Sequence, residues 1–363
     1  WRVGVSWPFP FASFLNNTRR YPVGILESLF SVPEQRATVR AVPNPVLFFD
    51  AFMSLARVLP VIPFLILLQG AFAAQPKQSQ ANSDDMWVTS PVPELPTGVT
   101  HHTFRSASMK RDVGYCIYLP PGYAADKMER RYPVIYHLHG AGGNETRSVY
   151  SAKVLHDGIV SGKLPAIIMV FPNGGRSTMY QDSGDGRFMA ETMMIKELLP
   201  HIDATCRTIA DRKARCIEGF SMGGRGSTHL AMKYPELFGS LFNQSGNVYH
   251  VSDPAQLPNA YMGSDPDRLK ANDPYLNLQK NLDYIKANLR IQVACGAADP
   301  GHLPTVREFH AALTAAGVKH GYFEVEGLDH NQKKMIDGRK DTWFNFQIES
   351  LKLAKVPLNY RKP

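Results

Sequence analysis

A serine bracketed by glycines, Gly219-Phe220-Ser221-Met222-Gly223, separates an apolar-rich segment, Arg215-Cys216-Ile217-Glu218, from a helix-like run over Arg225 to Lys233. A strand that turns into a helix within so few residues leaves no room for side chains at the flanking positions, so glycine fits there. The strained turn pushes the serine hydroxyl out of the fold. Glycine and serine are common in loops, so the pentapeptide alone reads equally well as a plain turn. Residues elsewhere in the chain change that balance.

The surrounding pattern alternates. Strands are expected at 101–106, 112–119, 132–138, 165–171, 213–219, 237–243, 289–295 and 320–326, and helices at 148–160, 188–203, 222–234, 303–316 and 332–353. Strands separated by helices predict an α/β fold with a mostly parallel central sheet and helices on both faces. An antiparallel start is expected, where 101–106 and 112–119 form a hairpin. Residues 248–287 break the rhythm at Asp253-Pro254, Asp265-Pro266 and Asp273-Pro274. They read as an insertion over a site, with Tyr261, Tyr275 and Leu276 as substrate wall. They read equally as a surface excursion with a helix at 278–287.

Three segments supply what a serine nucleophile needs. Tyr132 to Gly140 reads as a buried strand ending in a glycine-rich loop, Ala141-Gly142-Gly143. Acyl transfer needs backbone N–H groups aimed at a developing oxyanion. Met222, just after the serine, and Ala141 are the expected donors, with Gly140 and Gly142 letting backbone approach substrate. Ile291 to Pro300 is an apolar strand ending in Asp299, which also reads as a helix N-cap. Tyr322 to His330 is another strand ending in a loop, with Asp329 as a rival acid. The order Ser221, Asp299, His330 suits a base that takes the serine proton and a carboxylate that holds the imidazole. With 12 histidines in the chain, one alone means little; one just past the strand after Asp299 means more.

Tyr136 to Gly143, Arg207 to Arg212, Ile217 to Gly224 and Gly327-Leu328-Asp329-His330 resemble the putative-esterase family, which holds feruloyl-esterase domains of some xylanases, S-formylglutathione hydrolases and mycolyltransferases. Ser221-Met222-Gly223-Gly224 is the most specific mark. The resemblance runs from about His101 to Leu353. It implies a single α/β-hydrolase domain, no cofactor or metal, and ester cleavage. Carried across, it supports Ser221, Asp299 and His330 as a triad with Met222 and Ala141 as oxyanion donors.

Residues 1–52 do not look like part of the enzyme: no lysine occurs before Lys77, and Pro, Phe and Arg are scattered without period. They are expected to be upstream translated sequence. Met53 then opens a secretory signal over 53–74, with Arg57, the apolar stretch Val58 to Leu68, and Ala71-Phe72-Ala73-Ala74 as cleavage site. Pro60 and Pro63 and its short length argue against a membrane anchor. Residues 75–98, rich in Gln, Ser, Asn and Pro, are expected as a flexible linker, and 99–363 as the catalytic domain. The expected location is secreted or periplasmic.

The whole chain carries a formal +8. With no basic run interleaved with aromatics, a nucleic-acid partner is not expected. Cys116, Cys206, Cys216 and Cys295 form no C-x-x-C, which speaks against zinc and redox sites. Cys206 and Cys216 flank a short loop and could close a disulfide in an oxidising compartment. Tyr180 to Gly186 is acidic but does not match a calcium loop. Glu218, inside a strand, needs a buried partner, with Arg225 or Arg212 the candidates.

Together these residues predict a secreted serine esterase for short-chain or aromatic, feruloyl-type acyl esters, free or linked to polysaccharide. The alternatives are an acyltransferase of the mycolyl type and a thioesterase of the S-formylglutathione hydrolase type. The segment 248–287 carries Asp265, Asp267, Arg268, Lys270 and Lys280, which suits a wet rim rather than a lipid-facing flap.

Overall fold

The computed structural model describes residues 87–125, 130–253 and 262–353. These lie within one compact unit, Ala73–Pro363. Residues 1–52, the expected signal at 53–74 and Tyr261 lie outside the described residues.

One eight-stranded sheet forms the centre, in the order β1-β2-β4-β3-β5-β6-β7-β8. β1 (Val99–Ser106) and β2 (Arg111–Tyr118) form an antiparallel pair, and β2 runs antiparallel to β4 (Ile168–Pro172). β3 (Val134–Leu138), β5 (Arg215–Phe220), β6 (Ser240–Gln244), β7 (Arg290–Gly296) and β8 (His320–Val325) extend it in parallel. All eight expected strands are present. β3, β4, β5 and β6 are buried at every position; β3 and β4 accordingly run mostly apolar rather than alternating, whereas β5 and β6 also bury Arg215, Glu218, Ser240, Asn243 and Gln244.

Successive side chains still face opposite sides of the sheet. Ile135, Phe171 and Cys216 pack with Leu155 of α1 (Tyr150–Val160) and with Trp343 and Phe344 of α9 (Gln332–Leu353). Tyr136, Val170 and Ile217 pack on the other face, with Leu230 of α4 (Met222–Lys233) and Phe309 of α8 (Leu303–Ala315). The expected helix over 188–203 is three pieces: α2 (Ala190–Thr192), a π segment over Met193–Leu198, and α3 (Leu199–Thr205). Pro200, which has no N–H to donate, stands at the start of α3 beside the widened turn.

Four expectations change. Residues 87–98 are not loose linker: Trp87 is fully buried against the Phe188 ring at 5.8 Å, and the Thr89 N–H donates to Glu145 Oε1 at 2.7 Å. A large indole at the end of a polar stretch was the signal for packing. Two of the three Asp-Pro breaks are helix starts, with Asp265 capping α5 (Pro266–Asn272) and Asp273 capping α6 (Pro274–Lys280), before α7 (Leu282–Asn288); Pro254 lies outside the described residues. All four cysteines are free. Cys216 faces the α1 and α9 side while Cys206 packs on the opposite side, so the sheet itself stands between them.

Glu218 pairs with neither arginine. His137, its register partner on β3, donates to Oε1 at 2.7 Å, and Trp343 Nε1 and Gln347 Nε2 donate to Oε2 at 2.8 and 2.9 Å. Arg212 instead donates to the Asn288 carbonyl at 2.9 Å and side chain at 2.7 Å. No described helix is long and apolar enough to cross a membrane.

Candidate active site

Ser221 occupies the hinge between β5 and α4 with φ +57° and ψ −121°, a conformation that L-residues rarely hold. The turn is enforced by close packing. A Cβ at Gly219 would fall 2.4 Å from the Gly223 carbonyl carbon, and one at Gly223 would fall 2.0 Å from the Leu138 oxygen. The Ser221 N–H donates to Gln244 at the end of β6 (2.9 Å), which ties the turn to the neighbouring strand. Met222 opens α4, so its N–H has no acceptor inside the helix.

The glycine-rich loop after β3 lies against this turn. A Cβ at Gly140 would sit 3.4 Å from Ser221 Cβ. The Gly143 N–H donates to Gly140 O at 3.1 Å, and the Gly142 N–H to Arg176 O at 2.7 Å. Ala141 is exposed between these two tied positions, while Gly142, at φ +72°, has its own N–H spent on Arg176. His139 holds the loop from below. Its Nδ1 donates to Gly140 O at 2.9 Å and its Nε2 accepts the Gly174 N–H at 3.1 Å. Burial pushes its pKa down to about 4, so the ring is neutral and the Nδ1-protonated tautomer follows from its partners.

Asp299 and His330 come together from the loops after β7 and β8. His330 Nδ1 donates to Asp299 Oδ2 at 2.6 Å. The loops are laced by backbone: Ala297 N–H to Val325 O and Ala298 N–H to Leu328 O, both 2.9 Å. Gly296 permits this lacing, since a Cβ there would fall 2.3 Å from Leu328 O. The Phe220 ring, just before Ser221, lies 4.5 Å from the His330 ring, which sets the imidazole beside the serine turn. Asp299 is buried, but its carbonyl rather than its carboxylate receives the first N–H groups of the following helix, so it is no side-chain cap. Asp329 points away: it is 61% exposed and lies 3.6 Å from Lys334 Nζ.

A second histidine was not legible in the sequence. His302 Nδ1 donates to Asp299 Oδ1 at 2.8 Å, and its ring stacks on His330 at 3.8 Å with only 6° between planes. Burial would raise the Asp299 pKa; the hydrogen bonds from His302 and His330 outweigh that and hold it below the ordinary carboxylate range. Burial lowers the His302 pKa, and His330 adds to the effect. Asp299, His302 and His330 each offer one ligand-type atom, and these atoms lie within 4.8 Å of one another. Both carboxylate oxygens are already engaged by imidazole Nδ1 groups, so the carboxylate's charge is shared with the protein's own donors.

The expected substrate wall differs. Tyr275 is buried in the core, its ring stacked on His250 at 3.7 Å and edge-on to Phe309, its hydroxyl donating to Val248 O at 3.3 Å. Those contacts leave it no free face for an acyl group. Leu276 is exposed. In the loop over 180–186, Asp182 accepts from the Thr192 N–H and hydroxyl, and Asp185 from Ser183 and Arg187. These carboxylates serve the protein's own donors.

A family model described as "Putative esterase" matches residues 106–351. Esterase Rv1288 of Mycobacterium tuberculosis is 30% identical over 258 residues, covering 62% of this chain and 54% of that protein. An endo-1,4-beta-xylanase/feruloyl esterase of Xylanibacter ruminicola is 32% identical over 196 residues, covering 51% of this chain and 26% of that protein. The chain therefore spans about half, or less, of the length of these curated relatives. Among solved structures, a ferulic acid esterase aligns with TM-score 0.59 at 26% identity over 69% of this chain and 98% of that one. An S-formylglutathione hydrolase from Agrobacterium tumefaciens aligns at TM-score 0.58 and 19% identity, over 72% and 99%, and speaks for the fold alone.

Proposed function

The chain belongs to the putative-esterase family, and from that premise we propose that it is a serine carboxylic-ester hydrolase. The observation that carries the reading is the convergence at the carboxyl edge of the sheet. Ser221 sits at a strained φ of +57°, Phe220 packs on His330, and His330 donates to Asp299 at 2.6 Å. Nδ1 of His330 being the donor, its Nε2 is the basic nitrogen. It takes the Ser221 proton as Oγ attacks the acyl carbon. The oxyanion meets the Met222 and Ala141 N–H groups. Collapse expels the alcohol, which receives the proton from His330, and water then attacks the acyl-enzyme by the same relay. Asp299 keeps the ring in the useful tautomer and offsets its positive charge.

Short-chain and aromatic, feruloyl-type acyl esters are the proposed substrates, including esters carried on polysaccharide. The names of the xylanase-linked relative and of the ferulic acid esterase support this class. The exposed, charged surface of α5 supports it too, since a lipid-facing flap would not carry Asp267 and Lys270 in the open. Acyl transfer to an alcohol, or thioester cleavage, would use the same groups with a different acceptor or leaving atom. A panel of 4-nitrophenyl esters of graded acyl length, with methyl ferulate, acetylated xylan and S-formylglutathione, tests the reading. Specificity constants should peak at short or hydroxycinnamoyl acyl groups and fall steeply by twelve carbons. A rise toward long chains with activation at an oil–water interface, or a preference for the thioester, would overturn it.

Export belongs to the same proposal and rests on the residues at 53–74. Expression from Met53 should give exported protein that begins at Ala74 or Gln75 on N-terminal sequencing. Material that keeps Trp1 to Asp50 in its active form would contradict both the export signal and the upstream-sequence reading.

A further inference from the structure

Arg225 stands one helical turn past Ser221 on α4 and is 8% exposed. Among the described residues, its Nη2 has no hydrogen-bond partner. Arg215 likewise has a buried Nε without a partner, but it has a counter-ion, reaching Asp203 at 2.6 Å and the Leu237 carbonyl at 3.0 Å. Arg225 has only the face of Tyr249, 5.1 Å from its guanidinium carbon. A buried ion without a counter-ion is costly, so an anion reaching it would be stabilised. Burial lowers its pKa to about 10, which leaves it charged at neutral pH.

The position of the group bears on what that partner is. Residues four apart share a helix face, and helical side chains lean toward the N-terminus, so Arg225 reaches back toward the turn that Ser221 caps. Tyr249 lies five residues past the end of β6, whose last residue, Gln244, accepts the Ser221 N–H. Gly246 in that same loop lies so close to α4 that a Cβ there would fall 2.3 Å from Arg225 N. The Arg225 backbone stands about one turn past the serine along the helix, and its guanidinium lies beside Tyr249, in the loop at the carboxyl end of β6.

We propose that Arg225 is a substrate-recognition residue that binds a carboxylate carried by the ester, a few bonds from the scissile carbonyl. The planar fork of a guanidinium suits a carboxylate held through two parallel hydrogen bonds, and Tyr249 supports the cation from its other face. Within the short-chain class, half-esters of dicarboxylic acids, or esters of an acidic alcohol, are then favoured over neutral esters of the same length. Arg225 takes no part in the bond-making steps.

This inference rests on the ester-hydrolase reading, and two measurements separate the two. The first is the ratio of kcat/KM for the 4-nitrophenyl half-ester of glutaric acid to that for neutral 4-nitrophenyl pentanoate. Wild type should favour the anion, and Arg225→Met should lower the ratio by about 30-fold or more, mainly through KM. Arg225→Lys, which keeps the charge and loses the fork, should fall between. The second is calorimetric titration of glutarate, against glutaramide, into Ser221→Ala and into Ser221→Ala carrying Arg225→Met. Glutarate should bind the first and not the second. Glutarate binding without hydrolysis of either ester would sink the hydrolase reading and keep the anion site. Turnover of both esters at a ratio near one, unchanged in Arg225→Met or Arg225→Lys, would overturn the inference. A melting temperature that collapses in Arg225→Met while glutarate fails to bind Ser221→Ala would make the arginine a structural residue and overturn it equally.

Discussion

Two carboxylate–imidazole pairs of almost equal length lie on one sheet, and their surroundings give them different work. His330 donates to Asp299 at 2.6 Å and His137 donates to Glu218 at 2.7 Å. His137 and Glu218 are both fully buried on adjacent central strands. Every polar atom of that pair is claimed: Trp343 and Gln347 donate to the carboxylate, and Gln332 reaches His137 Nε2 at 2.7 Å. Asp299 and His330 stand instead on loops past the strand ends. Asp299 is buried, but the His330 ring is 31% exposed, and it packs against the residue preceding Ser221. A pair closed on all sides holds α9 to β3 and β5. A pair with one open nitrogen beside a hydroxyl can move a proton. The contact distance does not distinguish them; what faces the outer imidazole nitrogen does.

The largest expected effect is at the open pair. Ser221→Ala and His330→Ala should each lower kcat by roughly 10⁴- to 10⁶-fold with little change in melting temperature. Turnover above a hundredth of wild type in folded Ser221→Ala would remove that residue as nucleophile. Asp299→Asn should cost about 10⁴-fold in kcat, with substrate affinity little changed, because the amide favours the wrong imidazole tautomer. Asp329→Asn should stay within about twofold, since that carboxylate is mostly in solvent and its Lys334 contact is an exposed one. If the two aspartates exchanged these effects in steady-state kinetics, the acid would be the wrong one.

The closed pair should fail in the opposite way. Glu218→Ala leaves three buried donors without an acceptor, and should lower unfolding free energy by about 3–5 kcal/mol in urea titrations. Turnover per folded molecule should hold within a few-fold. A variant as stable as wild type but inactive would erase the contrast between the two pairs.

The sequence carried the open pair further than the closed one. Strand ends are legible because apolar runs stop there, so Asp299 and His330 could be placed on loops at the same edge. The elbow was legible because Gly219 and Gly223 are forced by backbone contacts with each other and with Leu138. Glu218 gave the opposite result. Charge suggested Arg212 or Arg225, but its partners are set by the β3–β5 register and by α9, more than a hundred residues away. His302 was missed for a related reason: it sits three residues from Asp299 at a helix start, and only the meeting of two loops turns it toward His330. Tyr275 looked like an exposed aromatic because its neighbours Asp273 and Pro274 read as loop, whereas they cap a helix that turns the ring inward.

His139 gives the contrast a pH dependence. The unfolded chain takes up a proton there near pH 6.5, while the folded ring holds off until about 4. The unfolded state therefore binds more protons between those values, and stability should fall by roughly 3 kcal/mol as pH drops from 6.5 to 4. Replacing His139 by Gln should flatten that part of the curve in urea titrations at stepped pH. An unchanged slope would mean that other groups carry the acid sensitivity. Because His139 holds the Gly140 loop, kcat should be lost ahead of global unfolding on the acid side.

Among the groups that touch Asp299, the smallest expected effect is at His302, the feature that most sets the open pair apart. It donates to Asp299 Oδ1 while His330 takes Oδ2, so the carboxylate is shared between two stacked rings. Burial and the neighbouring His330 hold the His302 pKa below its ordinary value, so it acts as a neutral donor at pH 7. Replacing it with Ala removes one hydrogen bond from a carboxylate that keeps the other. A net loss of about 0.5–1.5 kcal/mol corresponds to a roughly 2- to 12-fold fall in kcat. The fall should appear in kcat rather than in KM, because the bond removed is to Asp299 and not to substrate. A kcat unchanged within about twofold would show that His302 stacks beside the pair without tuning it.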